Sequence, residues 1–279
     1  SSLNMTLSNV HFEDTRLDII DNNTETGEFD SSQNTMGANW VFNNLRFINS
    51  TRLPVLNLIS ASSTLENWTL TISDVNISVL SSGDYDDTIE VKPAWDSDLI
   101  FDRFEVSDLE RHSSGTTTPA NRWLVYHQSS NSNIEIKNSL FYDSPEHKAI
   151  YASTDLVLNN VTIRDVFHPD DGYDWYSHGG STTCCQQTET YTRIVEGHGV
   201  ITANQLTIEN SGVMTEQKTG EKMEFCSTLN GSSNSCTMGG PDFYCTALFS
   251  TDTLYLSDSY ITGNCLAQFE YHGYRIFHY

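Results

Sequence analysis

Eight times along the chain a short alternation of apolar and polar residues is interrupted by two polar positions and then resumes. The module reads Leu7-Ser8-Asn9-Val10-His11-Phe12, Phe42-Asn43-Asn44-Leu45-Arg46-Phe47, Ile72-Ser73-Asp74-Val75-Asn76-Ile77 and Phe101-Asp102-Arg103-Phe104-Glu105-Val106. It returns as Leu158-Asn159-Asn160-Val161-Thr162-Ile163 and Ala203-Asn204-Gln205-Leu206-Thr207-Ile208. Two further copies, Ile136-Lys137-Asn138-Ser139-Leu140-Phe141 and Leu256-Ser257-Asp258-Ser259-Tyr260-Ile261, read as carrying one extra residue at the bend. Val161 and Ile163 alternate with polar side chains at period two, the mark of a strand with one buried face. The interruption lets the next strand leave at an angle. Asn and Asp tolerate the left-handed backbone region better than other non-glycine residues. They hold the third position as Asn9, Asn44, Asp74, Asn138, Asn160 and Asp258; where it is Arg103 or Gln205, the residue before is Asp102 or Asn204.

Strand, left-handed bend, strand is how a parallel β-helix turns a corner. The third positions fall at 9, 44, 74, 103, 138, 160, 205 and 258, too unevenly for a fixed-length repeat. The pattern predicts an all-β fold: a right-handed parallel β-helix, a solenoid of about eight irregular coils, with long loops in the C-terminal third. Residues 1–279 are expected to form one domain with loop insertions at about 165–199 and 211–252. A β-sandwich also has short strands and turns, but does not place the same module in every unit. The expected core is Val10, Phe12, Leu45, Phe47, Val75, Ile77, Phe104, Val106, Val161, Ile163, Leu206 and Ile208, stacked coil on coil. The first module begins by Leu3, and the aromatic-rich stretch 269–279 has no polar closing segment, so the ends are expected to need cover from a longer solenoid or a neighbouring copy.

The modules resemble the pectin-lyase-like superfamily of right-handed β-helices over residues 3 to about 264. That superfamily spans polysaccharide lyases, glycoside hydrolases, tailspikes and adhesins, so the resemblance bears on fold and leaves function open. Polygalacturonase-like hydrolases carry Asn-Thr-Asp, Asp-Asp, Gly-His-Gly and Arg-Ile-Lys in order. Here Ser153-Thr154-Asp155, Asp170-Asp171, Gly197-His198-Gly199 and Arg275-Ile276-Phe277 stand in that order, with Ser for Asn and Phe for Lys. The resemblance makes Asp155, Asp170, Asp171 and His198 the candidate catalytic residues. Aligning the bends stacks Asp155 on Val200 and leaves His198 about 8 Å from Asp155 at the backbone.

Composition narrows the partners. Acidic residues outnumber basic ones 37 to 14, a formal charge of −23, so a phosphate backbone or an anionic membrane surface is repelled. The same charge keeps a protein soluble. No apolar run is long enough to insert in a membrane. Cations and glycans remain as ligands. The loop His168-Pro169-Asp170-Asp171-Gly172-Tyr173-Asp174-Trp175-Tyr176 gathers acids and aromatics. Asp170, Asp171 and Asp174 are weak candidate Ca²⁺ ligands: the alternating spacing of a calcium loop is missing, and an ordinary acidic turn is the preferred reading. No other cofactor is expected.

All six cysteines, Cys184, Cys185, Cys226, Cys236, Cys245 and Cys265, lie in the last 100 residues without zinc-ligand spacing, and read as disulfides of an oxidising compartment. Six allow 15 pairings; Cys226 with Cys236 is the first choice. Seven N-x-S/T sequons stand at Asn4, Asn22, Asn49, Asn67, Asn76, Asn160 and Asn230, against about five by chance at this composition. Together these features lead us to expect a glycosylated extracellular or cell-surface protein, a filament, sheath or adhesin module without enzymatic activity. Its expected partners are other copies of itself, neighbouring extracellular proteins or glycans. The alternative is a carbohydrate-active enzyme or carbohydrate-binding module on the same fold.

Overall fold

The computed structural model describes residues 5–21, 40–50, 53–60, 69–80, 87–93, 95, 97–109, 122–145, 147–167, 191–212, 244–262, 268–271 and 274–277. Every regular element among them is a β-strand. The chain visits two nine-stranded sheets in alternation. Sheet A contains β1 (Met5–Glu13), β3 (Trp40–Ile48), β5 (Thr69–Val79), β7 (Asp98–Asp108), β9 (Ile134–Ser144), β11 (Leu156–Val166), β13 (Ile201–Glu209), β15 (Leu254–Ser257) and β16 (Tyr260–Thr262). Sheet B contains β2 (Leu17–Asp21), β4 (Leu56–Ser60), β6 (Ile89–Val91), β8 (Trp123–His127), β10 (Lys148–Ala152), β12 (Tyr191–Gly197), β14 (Tyr244–Ser250), β17 (Gln268–Tyr271) and β18 (Tyr274–Phe277). Each strand pairs in parallel with its counterpart in the next layer, so the architecture is solenoid-like and not an antiparallel sandwich. The exception is β17 with β18, an antiparallel hairpin that finishes sheet B in the stretch expected to leave its last coil open. Strands β12 and β14 fall within the two segments expected as loop insertions.

The strand–bend–strand modules make up sheet A. All eight third positions have positive φ, from 45° at Asp258 to 58° at Asn9 and Arg103. At the two copies without Asn or Asp in that position it is Arg103 and Gln205 themselves that turn left-handed (φ 58° and 56°). Arg103 is held there by Asp74, whose carboxylate accepts its Nη2 at 2.8 Å. That guanidinium also keeps the Asp74 carboxyl below its usual value. The sequence reading missed a second left-handed row, five residues further on, at Asp14, Asn49, Asp143, Asp165 and Asn210. It turns the chain away from sheet A, and again Asn and Asp supply it.

The two copies read as carrying an extra residue are corrected. Ser139 pairs with Val161, so nothing is inserted at that bend; Ser139 occupies the core slot and Leu140 points outward. Its hydroxyl accepts the Phe104 amide at 3.1 Å and donates to the Lys137 carbonyl at 2.7 Å. Ser259 repeats the arrangement, accepting the Leu206 amide at 3.1 Å and donating to Ser257 at 2.7 Å. A serine therefore fits a core slot because both its hydrogen-bonding roles are satisfied.

The apolar core runs between the sheets. Ten of the twelve expected core residues are buried, and Val10 and Phe12, in the first described layer, are partly buried against it. Phe12 stacks on Phe47 with centroids 4.6 Å apart. Each fully buried Val, Leu, Ile or Phe contributes about 1.5–3 kcal/mol, so stability is distributed layer by layer.

Candidate functional site

The residues with hydrolase-like order are committed to backbone structure. The Asp155 carboxylate accepts the Val200 amide at 2.8 Å, and Gly199 lies so close to Asp155 that a Cβ there would sit 2.7 Å from its amide nitrogen and closer still to its carboxylate. Thr154 Oγ1 donates to the Ser132 carbonyl. A Cβ on Gly197 would lie 2.7 Å from Ile201 Cγ1. The two glycines are therefore demanded by close packing where the chain passes from sheet B to sheet A. Asp155 does stack on Val200 as the bend alignment expects, but His198 takes another partner, Glu196, at 2.9 Å. Asp170, Asp171 and Asp174 lie outside the described residues, as do Tyr173, Trp175 and Tyr176. No group of three metal-ligating side chains occurs among the described residues.

The bend residues form a polar ladder up sheet A. Asn138 Nδ2 donates to Asp102 Oδ1 at 2.9 Å, Asn160 Nδ2 donates to Asn138 Oδ1 at 3.0 Å, and Asn44 donates to Asn9. Their side chains are engaged with each other, a structural use. Of the sequons, Asn160 belongs to this ladder, Asn49 sits at a left-handed corner with φ 52°, and Asn76 lies half-exposed in β5. Asn4, Asn22, Asn67 and Asn230 lie outside the described residues, as do Cys184, Cys185, Cys226, Cys236 and Cys265. Cys245 falls in β14, where its backbone pairs with Thr192.

The concentration of chemistry is on sheet B. Its strands also alternate, and parity sends Ile89, Val91, Val125, Ile150, Val195 and Leu248 into the core. Glu90, Tyr126, Tyr151, Glu196 and Phe249 consequently point the other way. The registers set them side by side in that order on five successive layers. Tyr126 and Tyr151 meet with ring centroids 4.8 Å apart, and Tyr151 also meets Trp123 at 5.5 Å and the His198 ring at 5.2 Å.

Charge is matched within this row. Glu90 receives Lys92 Nζ at 2.5 Å and Gln128 Nε2 at 2.7 Å. Glu196 receives Arg193 Nη1 at 2.6 Å and His198 Nε2 at 2.9 Å. Both glutamates are buried, and a buried carboxylate stays ionised only with such partners. The Arg193 guanidinium lies 3.6 Å from the Phe249 centroid, and the Lys148 ammonium 4.7 Å from that of Trp123. Burial pushes the Lys148 ammonium down to about 8, opposed by the charges of Glu196 and Asp87. Burial also raises the Tyr126 hydroxyl, keeping it a neutral donor.

The two glutamates of the row stand three strand spacings apart, about 14 Å at the backbone. Inverting hydrolysis needs two carboxyls roughly 6.5–9.5 Å apart and retention needs them closer. The row sets aromatic rings in its middle and a buried, paired carboxylate at either end. The strands Trp123-Leu124-Val125-Tyr126 and Lys148-Ala149-Ile150-Tyr151 carry the signal in the sequence, but loops of differing length conceal their register.

Fold and face together define an all-β, solenoid-like protein with an aromatic, charge-paired strip on one sheet. No family model, curated protein or solved structure matches the chain.

Proposed function

We propose that this chain is a non-enzymatic surface module of the extracellular space, an adhesin-type β-helix that meets glycans through the outer strip of sheet B. We further infer a right-handed coil of about eight turns, of the pectin-lyase-like kind. The observation that carries the reading is the row Glu90–Tyr126–Tyr151–Glu196, with Trp123 and His198 against Tyr151. Aromatic rings stack on the apolar faces of sugar rings; Tyr126 and Tyr151 are partly exposed and His198 is exposed, while the buried Glu90 and Glu196 hold the row in place. The absence of turnover rests on Asp155 and His198, whose polar atoms are occupied by Val200 and Glu196. The six cysteines and seven sequons support a location outside the cytosol, with disulfides and glycans of its own. Calorimetry against a panel of oligosaccharides, with product analysis of the same mixtures, tests the reading. Binding without cleavage supports it; cleavage abolished by Asp155→Asn or His198→Ala refutes it in favour of a carbohydrate-active enzyme.

A second reading, self-association, is favoured by one observation. Tyr255, Leu256 and Tyr260, on the last described strands of sheet A, are 61%, 40% and 58% exposed. A second copy stacked on that layer would cover them. Light scattering over a wide concentration range tests it, and a constant mass equal to one chain, 31.4 kDa of polypeptide plus any glycans, refutes it.

A further inference from the structure

Self-association, the second reading above, acquires a direction from the two ends of sheet A, and this inference rests on that reading. We propose that copies of this chain stack head to tail, the outer edge of β1 in one copy pairing in parallel with β15 and β16 of the next. The apolar slots meet first. Leu256 shares its slot with Ala203, Leu158 and Ile136 in the layers before it. Those three are at most 1% exposed, whereas Leu256, with no later strand of sheet A beside it among the described residues, is 40% exposed. At the other end Leu7 and Phe12 stand in the slots of Leu256 and Ile261, and both are only partly buried. Continuing the register sets Leu7 of one copy on Leu256 of the next and Phe12 on Ile261. Each end layer then gains the apolar cover that every inner layer has.

The bend row decides the direction. In each side-chain hydrogen bond between layers of this row, among the described residues, the later layer donates and the earlier accepts: Asn44 to Asn9, Arg103 to Asp74, Asn138 to Asp102 and Asn160 to Asn138. That polarity leaves a donor at one end and an acceptor at the other. Asn9 accepts from Asn44 through Oδ1, and its exposed Nδ2 has no partner among the described residues. The exposed carboxylate of Asp258, at the last bend, has none either. Stacked head to tail, Asn9 donates to Asp258 and the row continues unbroken. Head to head, two amide donors face each other. Tail to tail, two carboxylates meet, in chains that already carry 23 excess negative charges. Only the heterologous contact matches donor to acceptor, and such a contact repeats into a filament when the rotation does not close. On sheet B the hairpin strand β18 lies one strand beyond the last parallel layer. The shared edge is therefore that of sheet A, and successive copies incline to one another to pass β18.

The test is sedimentation velocity of the full chain over a wide concentration range, in about 0.5 M salt to screen the net charge. Asn9→Asp is the informative variant. Asp adopts the same left-handed bend and still accepts from Asn44, while its carboxylate faces Asp258 across the contact. Wild-type mass should climb with concentration in steps of one chain. Asn9→Asp should raise the dissociation constant by about tenfold or more, since like charges then oppose each other. Adding Asp258→Asn to that variant puts a donor back across the contact and should recover most of the lost affinity. Asn9→Asp mixed into wild type should shorten the assemblies, because a chain blocked at one end still occupies the other end of its neighbour. A constant mass of one chain overturns this inference and the self-association reading together. Association unchanged in Asn9→Asp overturns this inference alone, and so does growth that stops at two chains, the mark of an isologous contact.

Discussion

Replacing Asn138 tests the physical basis of the whole stack. Asn138 sits at the bend of β9 with φ 52°, donates to Asp102 at 2.9 Å and accepts from Asn160 at 3.0 Å. In Asn138→Ala the left-handed conformation itself costs about 1–2 kcal/mol. Two solvent-exposed hydrogen bonds add about 0.5 kcal/mol each, the low end of the range for net contributions. The sum is a loss of about 2–3 kcal/mol. Asn138→Gly loses the same two bonds but adopts the bend freely, so it should lose only about 1 kcal/mol. At an ordinary strand position the order is reversed, alanine being better than glycine by roughly 0.5–1 kcal/mol. Urea denaturation followed by circular dichroism reads the ranking from the midpoints, provided the slopes agree. If alanine at 138 proves as stable as glycine at equal slope, the left-handed bend is not what fixes this residue and the reasoning fails.

Three further outcomes are expected. His127 is fully buried with only Ser132 on Nε2, and burial lowers it from 6.5 to about 4. The unfolded chain thus binds the proton more readily, so its contribution is whole above pH 6.5 and shrinks as pH falls towards 4, by about 3 kcal/mol in all; His127→Gln should flatten that part of the stability–pH curve, and an unchanged slope would refute the assignment. Gly199→Ala places a Cβ 2.7 Å from the Asp155 amide nitrogen, which only backbone movement relieves, so the denaturation midpoint should fall by the equivalent of about 1–3 kcal/mol. Thiol titration of the denatured, unreduced chain should find at most two free thiols among the six cysteines, and recovery of all six would remove both the disulfides and the extracellular placement.

How far the sequence could be read depended on the range of the interaction involved. The bends were legible because a left-handed φ is a property of single residues, and Asn or Asp at 9, 44, 74, 138, 160 and 258 marks it directly. The second left-handed row was equally local and was passed over, although Asn and Asp recur there five residues after the first. Ser139 was misjudged because a hydroxyl looks like an outward residue until the unpaired Phe104 amide of the neighbouring layer is seen beneath it. Asp155 and His198 drew attention by spacing, but their roles depend on which groups lie nearest, Val200 and Glu196.

The sequence by itself determined the unit: a period-two alternation buries one face of each strand, and a left-handed residue turns the corner between strands. These are short-range constraints, written in adjacent residues. Only the tertiary structure decided the rest. The placing of Glu90, Tyr126, Tyr151 and Glu196 in one line follows from hydrogen-bond register between strands 25 to 45 residues apart, across connections of unequal length. Each glutamate tolerates burial only because Lys92 and Gln128, or Arg193 and His198, arrive beside it when the layers close. Pairing energies of that kind exist only after the stack has formed, so no local pattern in the chain records them.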